Sequence, residues 1–293
     1  MPIIELRELS KLYGFGDATT LALDEINLTI ESGEFVAIMG PSGCGKSTLM
    51  NIIGLLDRAT HGDYLLNGRH VARLTPTQAA KIRRDTIGFI FQSFNLISRM
   101  SVLENVALPL LYRGLPMTKR LEIASTILER VGMKSREYFL PSQRSGGQIQ
   151  CAAIARALVN DPKLIIADEP TGNLDSAGSR LVMELLSEVH RMGNTVLFVT
   201  HNPELTRYAN RVIYMRDGAI LHDEQTAIGE IASSVYQSMY FIPRKTEEDD
   251  IAGVSALMEA VPQTDMNSKP ARPKQRRRKA STKTNKRRTR STA

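Results

Sequence analysis

Three things are scarce in this chain, and each absence closes off a class of function. Cysteine is the first: only Cys44 and Cys151 occur in 293 residues. They are far apart and lack metal-ligand spacing, so neither a disulfide framework nor a zinc site is supported. Long apolar runs are the second, since none approaches the roughly 18 residues that a membrane-spanning helix needs. The opening Met1-Pro2-Ile3-Ile4-Glu5 also lacks the basic-then-apolar order of a secretory leader. The expectation is a cytosolic chain in a reducing compartment, held at a membrane only through a partner. Acidic residues are the third, missing from one region: Lys269 to Arg290 carries 12 Lys and Arg and no Asp or Glu. The rest of the chain then holds 26 basic against 31 acidic residues, net −5, so the overall +7 joins a mildly acidic body to a strongly basic tail. What is plentiful is apolar content, 42%, enough for one large globular domain or two small ones.

The body is organised around Gly40-Pro41-Ser42-Gly43-Cys44-Gly45-Lys46-Ser47, which follows the apolar run Phe35 to Met39 and precedes Thr48-Leu49-Met50-Asn51-Ile52-Ile53. That order reads as strand, glycine loop, helix. Glycines remove the Cβ atoms that would block a polyphosphate from the backbone N–H groups, and they tolerate positive φ. The helix N-terminus adds free donors and the positive end of its dipole. In this spacing Lys46 is expected to reach the β- and γ-phosphates and the Ser47 hydroxyl to ligate Mg²⁺.

Ahead of the loop, Ile3 to Leu9 and Ala22 to Ile30 alternate apolar and polar residues and predict an antiparallel β layer. Tyr13 lies between these two strands, where an aromatic ring ordinarily caps a core. A helix is expected from Lys46 to Leu56, then a hairpin turning at Asn67-Gly68. The strand Ile87 to Phe91 ends in Gln92, an amide either simply solvated or aimed at the phosphate site, because ligands of open α/β sheets lie beyond strand C-termini. From Ser93 to about Arg144 the pattern is helical, with a capping box at Ser101-x-x-Glu104 and an apolar face across Lys119 to Val131. This block reads as a helical insertion or subdomain, about 93–160 with the helix that follows.

Ser145-Gly146-Gly147-Gln148 precedes a helix over Ile149 to Val159, a second potential anion-binding helix start, though small residues also merely cap helices. The buried-type strand Leu164 to Ala167 ends in Asp168-Glu169. Two carboxylates at such a strand end are costly unless they hold metal or do chemistry. Asp168 would hold Mg²⁺ through water and Glu169 would polarise the attacking water. After Asp175 a helix runs to Met192, and the strand Thr195 to Thr200 leads to His201. A lone histidine is more often structural, but the end of a third such strand favours function. A hairpin at Asp217-Gly218 closes the domain. Amphipathic helices are expected over Ile228 to Tyr240 and Ile251 to Ala260, and a disordered tail from Asn267. The domain plan is therefore 1–225 for the main α/β body, 226–266 for an accessory helical extension and 267–293 for the basic tail.

Taken together, Gly40 to Ser47, Gln92, Ser145 to Gln148, Asp168-Glu169, Asp175 and His201, once each and in this order, resemble the ABC-type ATPase family over roughly Ile3 to Asp223. The resemblance implies an α/β fold, a P-loop NTPase core with an antiparallel β subdomain and a helical subdomain. It implies adenine stacking on Tyr13, phosphate contacts from Gly40 through Thr48, and Gln92 sensing Mg²⁺ and the transporter partner. It assigns Ser145 to Gln148 to the family signature, Asp175 to the loop crossing the dimer, and His201 to a γ-phosphate switch. Finer features, Asn51 to Arg58, Phe91 to Leu96, Glu104 to Leu110 and Ala167 to Ser176, resemble the macrolide-export and lipoprotein-release group. In that group an ATPase dimer at the cytoplasmic face of the bacterial inner membrane drives a separate permease, in some cases with a periplasmic adaptor. ATP and Mg²⁺ are the implied ligands, with Glu169, His201 and Lys46 catalytic, and Ser47, Gln92 and Asp168 on the metal.

Two positions depart from the family pattern: Arg144 stands where leucine is usual and Cys151 where arginine is usual. Losing a cation beside a phosphate is expected to weaken binding by a charge-assisted hydrogen bond, about 1.5–3 kcal/mol, with Arg144 as a conceivable substitute. Two rival functions follow. The basic tail suits a soluble ABC ATPase acting on nucleic acid or ribosomes, although the chain has one cassette and no heptad array. The altered positions suit an impaired, regulatory ATPase. The tail itself could contact anionic lipid or RNA nonspecifically, or be a solvated extension.

Overall fold

The computed structural model describes residues 1–14 and 19–229. Apart from Ile228 and Gly229, which form a turn, the accessory helices and the basic tail expected from the sequence lie outside the described residues.

Two long strands open the chain, β1 (Pro2–Tyr13) and β2 (Thr20–Glu31). With β4 (His61–Leu66) and the short β5 (Arg69–His70) they form an antiparallel sheet in the order β2-β1-β4-β5. This is the β layer that the alternating pattern predicts. The second sheet is built on β3 (Phe35–Met39), β6 (Ile87–Phe91), β7 (Leu164–Asp168), β8 (Thr195–Val199), β9 (Arg211–Arg216) and β10 (Ala219–Gln225), in the order β10-β9-β3-β8-β7-β6. Its pairings are parallel except for β10, which turns back on β9 through Asp217-Gly218.

The parallel strands read as continuous apolar runs because both of their faces are covered. Val36 and Ile38 of β3 point into one cluster, together with Leu164, Ile166, Leu197 and Val199. Their sequence neighbours Phe35, Ala37 and Met39 point into another, with Ile165, Ala167, Val196 and Phe198. The first cluster packs against the antiparallel sheet and α1 (Lys46–Ile53); the second packs under α5 (Gly146–Leu158) and α6 (Ser176–Arg191). A third apolar cluster joins α3 (Val102–Leu111), α4 (Met117–Arg130) and the outer side of α5. This is the expected helical subdomain, and its entry is fixed by Ser101, which accepts from the Glu104 N–H while Glu104 bonds back to Ser101.

The elements differ from the sequence reading in several places; β1, for instance, runs four residues past Leu9 and includes Tyr13. α1 stops at Ile53 rather than Leu56, because Leu55 adopts φ 56 and the turn bonds Leu56 N–H to Asn51 O at 2.8 Å. Gly54 is needed at that turn, since a Cβ there would lie 2.0 Å from the Phe89 ring. α5 begins at Gly146, so the two glycines are its first turn rather than a lead-in, and Ser145 is its N-cap. A further helix, α2 (Pro76–Thr86), was not anticipated. Its signal is Thr75-Pro76-Thr77-Gln78, a full capping box with proline at the first helical position.

Candidate functional site

The loop Gly40 to Ser47 joins the C-terminal end of β3 to α1. Gly45, at φ 100, occupies a left-handed conformation, and a Cβ there would come within 2.5 Å of the Ala22 carbonyl. The bare backbone is therefore a requirement of the turn, and it leaves the N–H groups of the loop and of the first turn of α1 open. Lys46 is only 8% exposed, its ammonium donating to Gly40 O at 2.9 Å and Pro41 O at 2.7 Å. Cys44 is buried beneath it, its Sγ 3.7 Å from Lys46 Nζ. Ser47 is exposed and Thr48 half-buried.

A cavity of about 420 Å³ opens over this loop, lined by Ser42, Gly43, Gly45, Lys46, Ser47 and Thr48 and, from other strands, by Thr20, Glu169 and His201. Residues distant in sequence thus meet where parallel topology brings strand C-termini side by side. Asp168 ends β7, paired with Phe91 of β6 and Val199 of β8. Burial and the adjacent Glu169 charge push its carboxyl above the ordinary range, and Lys46 opposes them. Glu169 follows at φ 44, a left-handed conformation unusual for a side-chain-bearing residue. Its Oε1 lies 3.1 Å from Nδ1 of His201, whose ring is largely exposed.

Gln92 sits just beyond β6, its carbonyl accepting from the Asn173 side chain at 3.1 Å and its amide packed against Gly172. Gln92 and Asp168 do not line the cavity that Ser47 lines, although Asp168 lies close enough to feel the Lys46 charge; all three side chains carry oxygen donors of the kind that suits Mg²⁺ bound mainly through phosphates and water. Among the described residues no cluster of three or more His, Cys, Asp or Glu could hold a metal unaided.

Ser145 to Gln148 are elsewhere. They line a different cavity of about 490 Å³, together with Asn173, Leu174, Asp175 and Gly178. Ser145 caps α5, and Asp175 caps α6 by accepting from Gly178 N–H at 2.8 Å. One molecule therefore groups Lys46, Ser47, Glu169 and His201 at one cavity and holds the Ser-Gly-Gly-Gln helix start apart from it. Tyr13 is 42% exposed and belongs to none of the apolar clusters, so it does not cap the core.

Cys151 corrects an expectation. It is 3% exposed within the helical cluster beside Val102, Val106 and Leu128, and does not line the cavity at Ser145 to Gln148. No phosphate-facing cation is lost there, because the position faces away. Arg144 does not replace one either: its guanidinium lies 4.0 Å above the Phe139 ring.

The sequence reading passed over two residues of α5. Gln150 is fully buried and donates to the carbonyls of Phe91 at 3.3 Å and Pro170 at 2.8 Å, the residues flanking Gln92 and Glu169. Arg156 donates to Phe94 O at 2.9 Å and to Asn95 O, holding the loop after Gln92. A glutamine on an otherwise apolar helix face was the available signal.

Comparisons with known proteins agree with this layout. A family model described as ABC transporter matches residues 23–172. The chain is 50% identical over 222 residues to the macrolide export ATP-binding/permease protein MacB of Hyphomonas neptunium, covering 76% of this chain and 34% of that protein. It therefore spans about a third of the length of that relative. It is 47% identical over 223 residues to the uncharacterized ABC transporter ATP-binding protein YvrO of Bacillus subtilis, covering 76% of this chain and 97% of that one. Among solved structures, the dimeric post-hydrolysis state of the ATP-binding cassette MJ0796 bound to ADP and Pi superposes with a TM-score of 0.70 at 42% identity, covering 76% of this chain and 98% of that one.

Proposed function

The chain belongs to the ABC transporter family, and from that premise we propose that it is an ATPase subunit working as a head-to-tail dimer. It would drive a separate permease of the macrolide-export or lipoprotein-release type from the cytoplasmic face of a bacterial inner membrane. The observation that carries this reading is the division of the site: Lys46, Ser47, Glu169 and His201 line one cavity, and Ser145 to Gln148 line another. Two copies facing one another would bring each loop against the other copy's signature helix, and the dimeric state of the MJ0796 cassette supports a two-copy assembly. The MacB relatives, named as ATP-binding/permease proteins, support the permease partner.

The loop N–H groups and Lys46 hold the triphosphate, whose γ-phosphate faces Glu169. Ser47, Gln92 and Asp168 would hold Mg²⁺, which when bound offsets charge on the β- and γ-phosphates. Glu169, already oriented through His201 at 3.1 Å, takes a proton from water as its oxygen bonds to the γ-phosphorus. The bond from that phosphorus to the β-bridging oxygen breaks, releasing ADP and phosphate. Lys46 and His201 offset charge on the transferred group, and Ser145 to Gln148 of the second copy close over it. A groove of about 770 Å³ among α2, β6, α3 and α5, lined by Phe89, Phe91, Leu108, Pro109 and Tyr112, reaches the residue before Gln92 and is where the permease would bear on the site.

The test is Glu169→Gln. Turnover is expected to fall at least about 100-fold, the scale of losing a general base, while ATP is retained and a dimer accumulates in size-exclusion chromatography. Turnover at the wild-type rate would refute the assignment.

A further inference from the structure

Around Tyr13 two polar side chains, Lys11 and Asp57, are spent in a way that packing does not require. Lys11 of β1 is 9% exposed, and its ammonium donates to Asp57 Oδ1 at 2.8 Å and to Arg58 O at 2.7 Å. The other carboxylate oxygen of Asp57 accepts from the Tyr13 hydroxyl at 2.7 Å. The same Lys11 ammonium stands 4.6 Å from the Tyr13 ring centroid, over one face.

A buried lysine needs a counter-charge, and one Asp57 oxygen supplies it. The second oxygen goes to the hydroxyl of a ring that is 42% exposed, a group that water would satisfy equally well. The bond therefore fixes the ring rather than rescuing a buried donor. Its place is also specific. Tyr13 pairs across the sheet with Thr20, which lines the cavity over the phosphate loop together with Thr48 in the first turn of α1. Asp57 is in the turn that ends α1. One helix thus carries the phosphate-facing groups at its start and the anchor of the ring at its end. Burial would raise the Asp57 carboxyl, but the bonds from Lys11, Tyr13 and the Arg58 N–H hold it below the ordinary range, so the anchor stays anionic.

We infer that Lys11 and Asp57 are positioning residues for nucleotide recognition: they hold Tyr13 with one face covered by the ammonium, so that the base of ATP stacks on the opposite face at a fixed distance from the triphosphate cradle. This rests on the reading of Tyr13 as the adenine platform. Pre-setting the ring removes an ordering cost from binding, and the effect is confined to the base.

The test compares ATP with inorganic tripolyphosphate, which has no base, by calorimetry on the full chain. Asp57→Asn is expected to weaken ATP about threefold and leave tripolyphosphate unchanged. Replacing the buried pair together, Lys11→Met with Asp57→Leu, avoids a stranded charge and is expected to weaken ATP about tenfold, the order of one base–aromatic stacking contact. In a Tyr13→Ala background neither change has a further effect. Unchanged ATP affinity in the Lys11→Met/Asp57→Leu chain, with Tyr13→Ala weakened, overturns the clamp while leaving the adenine platform standing. Equal loss of ATP and tripolyphosphate in that chain overturns it in favour of a fold staple. A Tyr13→Ala chain that binds ATP normally refutes the platform itself, and the clamp with it.

Discussion

Cys151 shows how much a single residue's surroundings decide. Its thiol lies in the apolar helical cluster, where burial pushes its pKa from the ordinary 9.0 up to about 11. The unfolded chain therefore releases this proton at lower pH than the folded one. The stabilising effect is fully present below pH 9.0 and is lost as pH rises toward about 11, a difference on the order of 2 kcal/mol. The urea midpoint should fall less between about pH 8 and about pH 10.5 in Cys151→Ala than in the wild type; an identical fall would show that the thiol is not desolvated. Glu169 and His201 are legible as candidate site residues from their places at strand ends, whereas the left-handed φ of Glu169 and its bond to His201 are not, because both depend on β7 and β8 lying side by side. Tyr13 was readable only through family resemblance. Its partners Lys11 and Asp57 were invisible in sequence, being joined across 46 positions.

Among the elements, α5 does the most to tie the site together. It starts at the Ser145 cap, buries Gln150 against the carbonyls of Phe91, just before Gln92, and Pro170, just after Glu169, and holds the loop after Gln92 through Arg156. Gln150→Leu keeps the volume but strands the buried Pro170 carbonyl and removes one of two donors to the Phe91 carbonyl, which keeps the Phe94 N–H, so it should cost about 1–3 kcal/mol in urea unfolding. ATP turnover should fall as well, because both carbonyls flank site residues; an unaffected rate would confine Gln150 to stability. The helix was legible from its alanine-rich run, but its start was not: two consecutive glycines argue against helix on propensity alone, and the Ser145 cap with packing on Gly178 overrides them. α2 was overlooked because none of its residues is fully buried, leaving no strong apolar stripe, even though its capping box stood in plain view.

For the whole molecule, the layered architecture followed from pattern alone, since continuous apolar strands, alternating strands and a helical block each permit one kind of layer. What pattern could not supply was which motifs share a cavity. Ser145 to Gln148 and Gly40 to Ser47 have similar anion-binding logic, and only the folded chain separates them. The proposed function turns on that separation, with each chain supplying half of two sites. Mixing two inactive chains tests it most directly. Lys46→Ala disables the loop half and Ser145→Arg the signature half, so each alone should have negligible ATPase activity. In a symmetric pair with shared sites, a mixed dimer keeps one site built from the unaltered half of each chain. An equimolar mixture should then recover about a quarter of the wild-type rate by random pairing. No recovery, with both chains folded and exchanging, would contradict a site shared between copies.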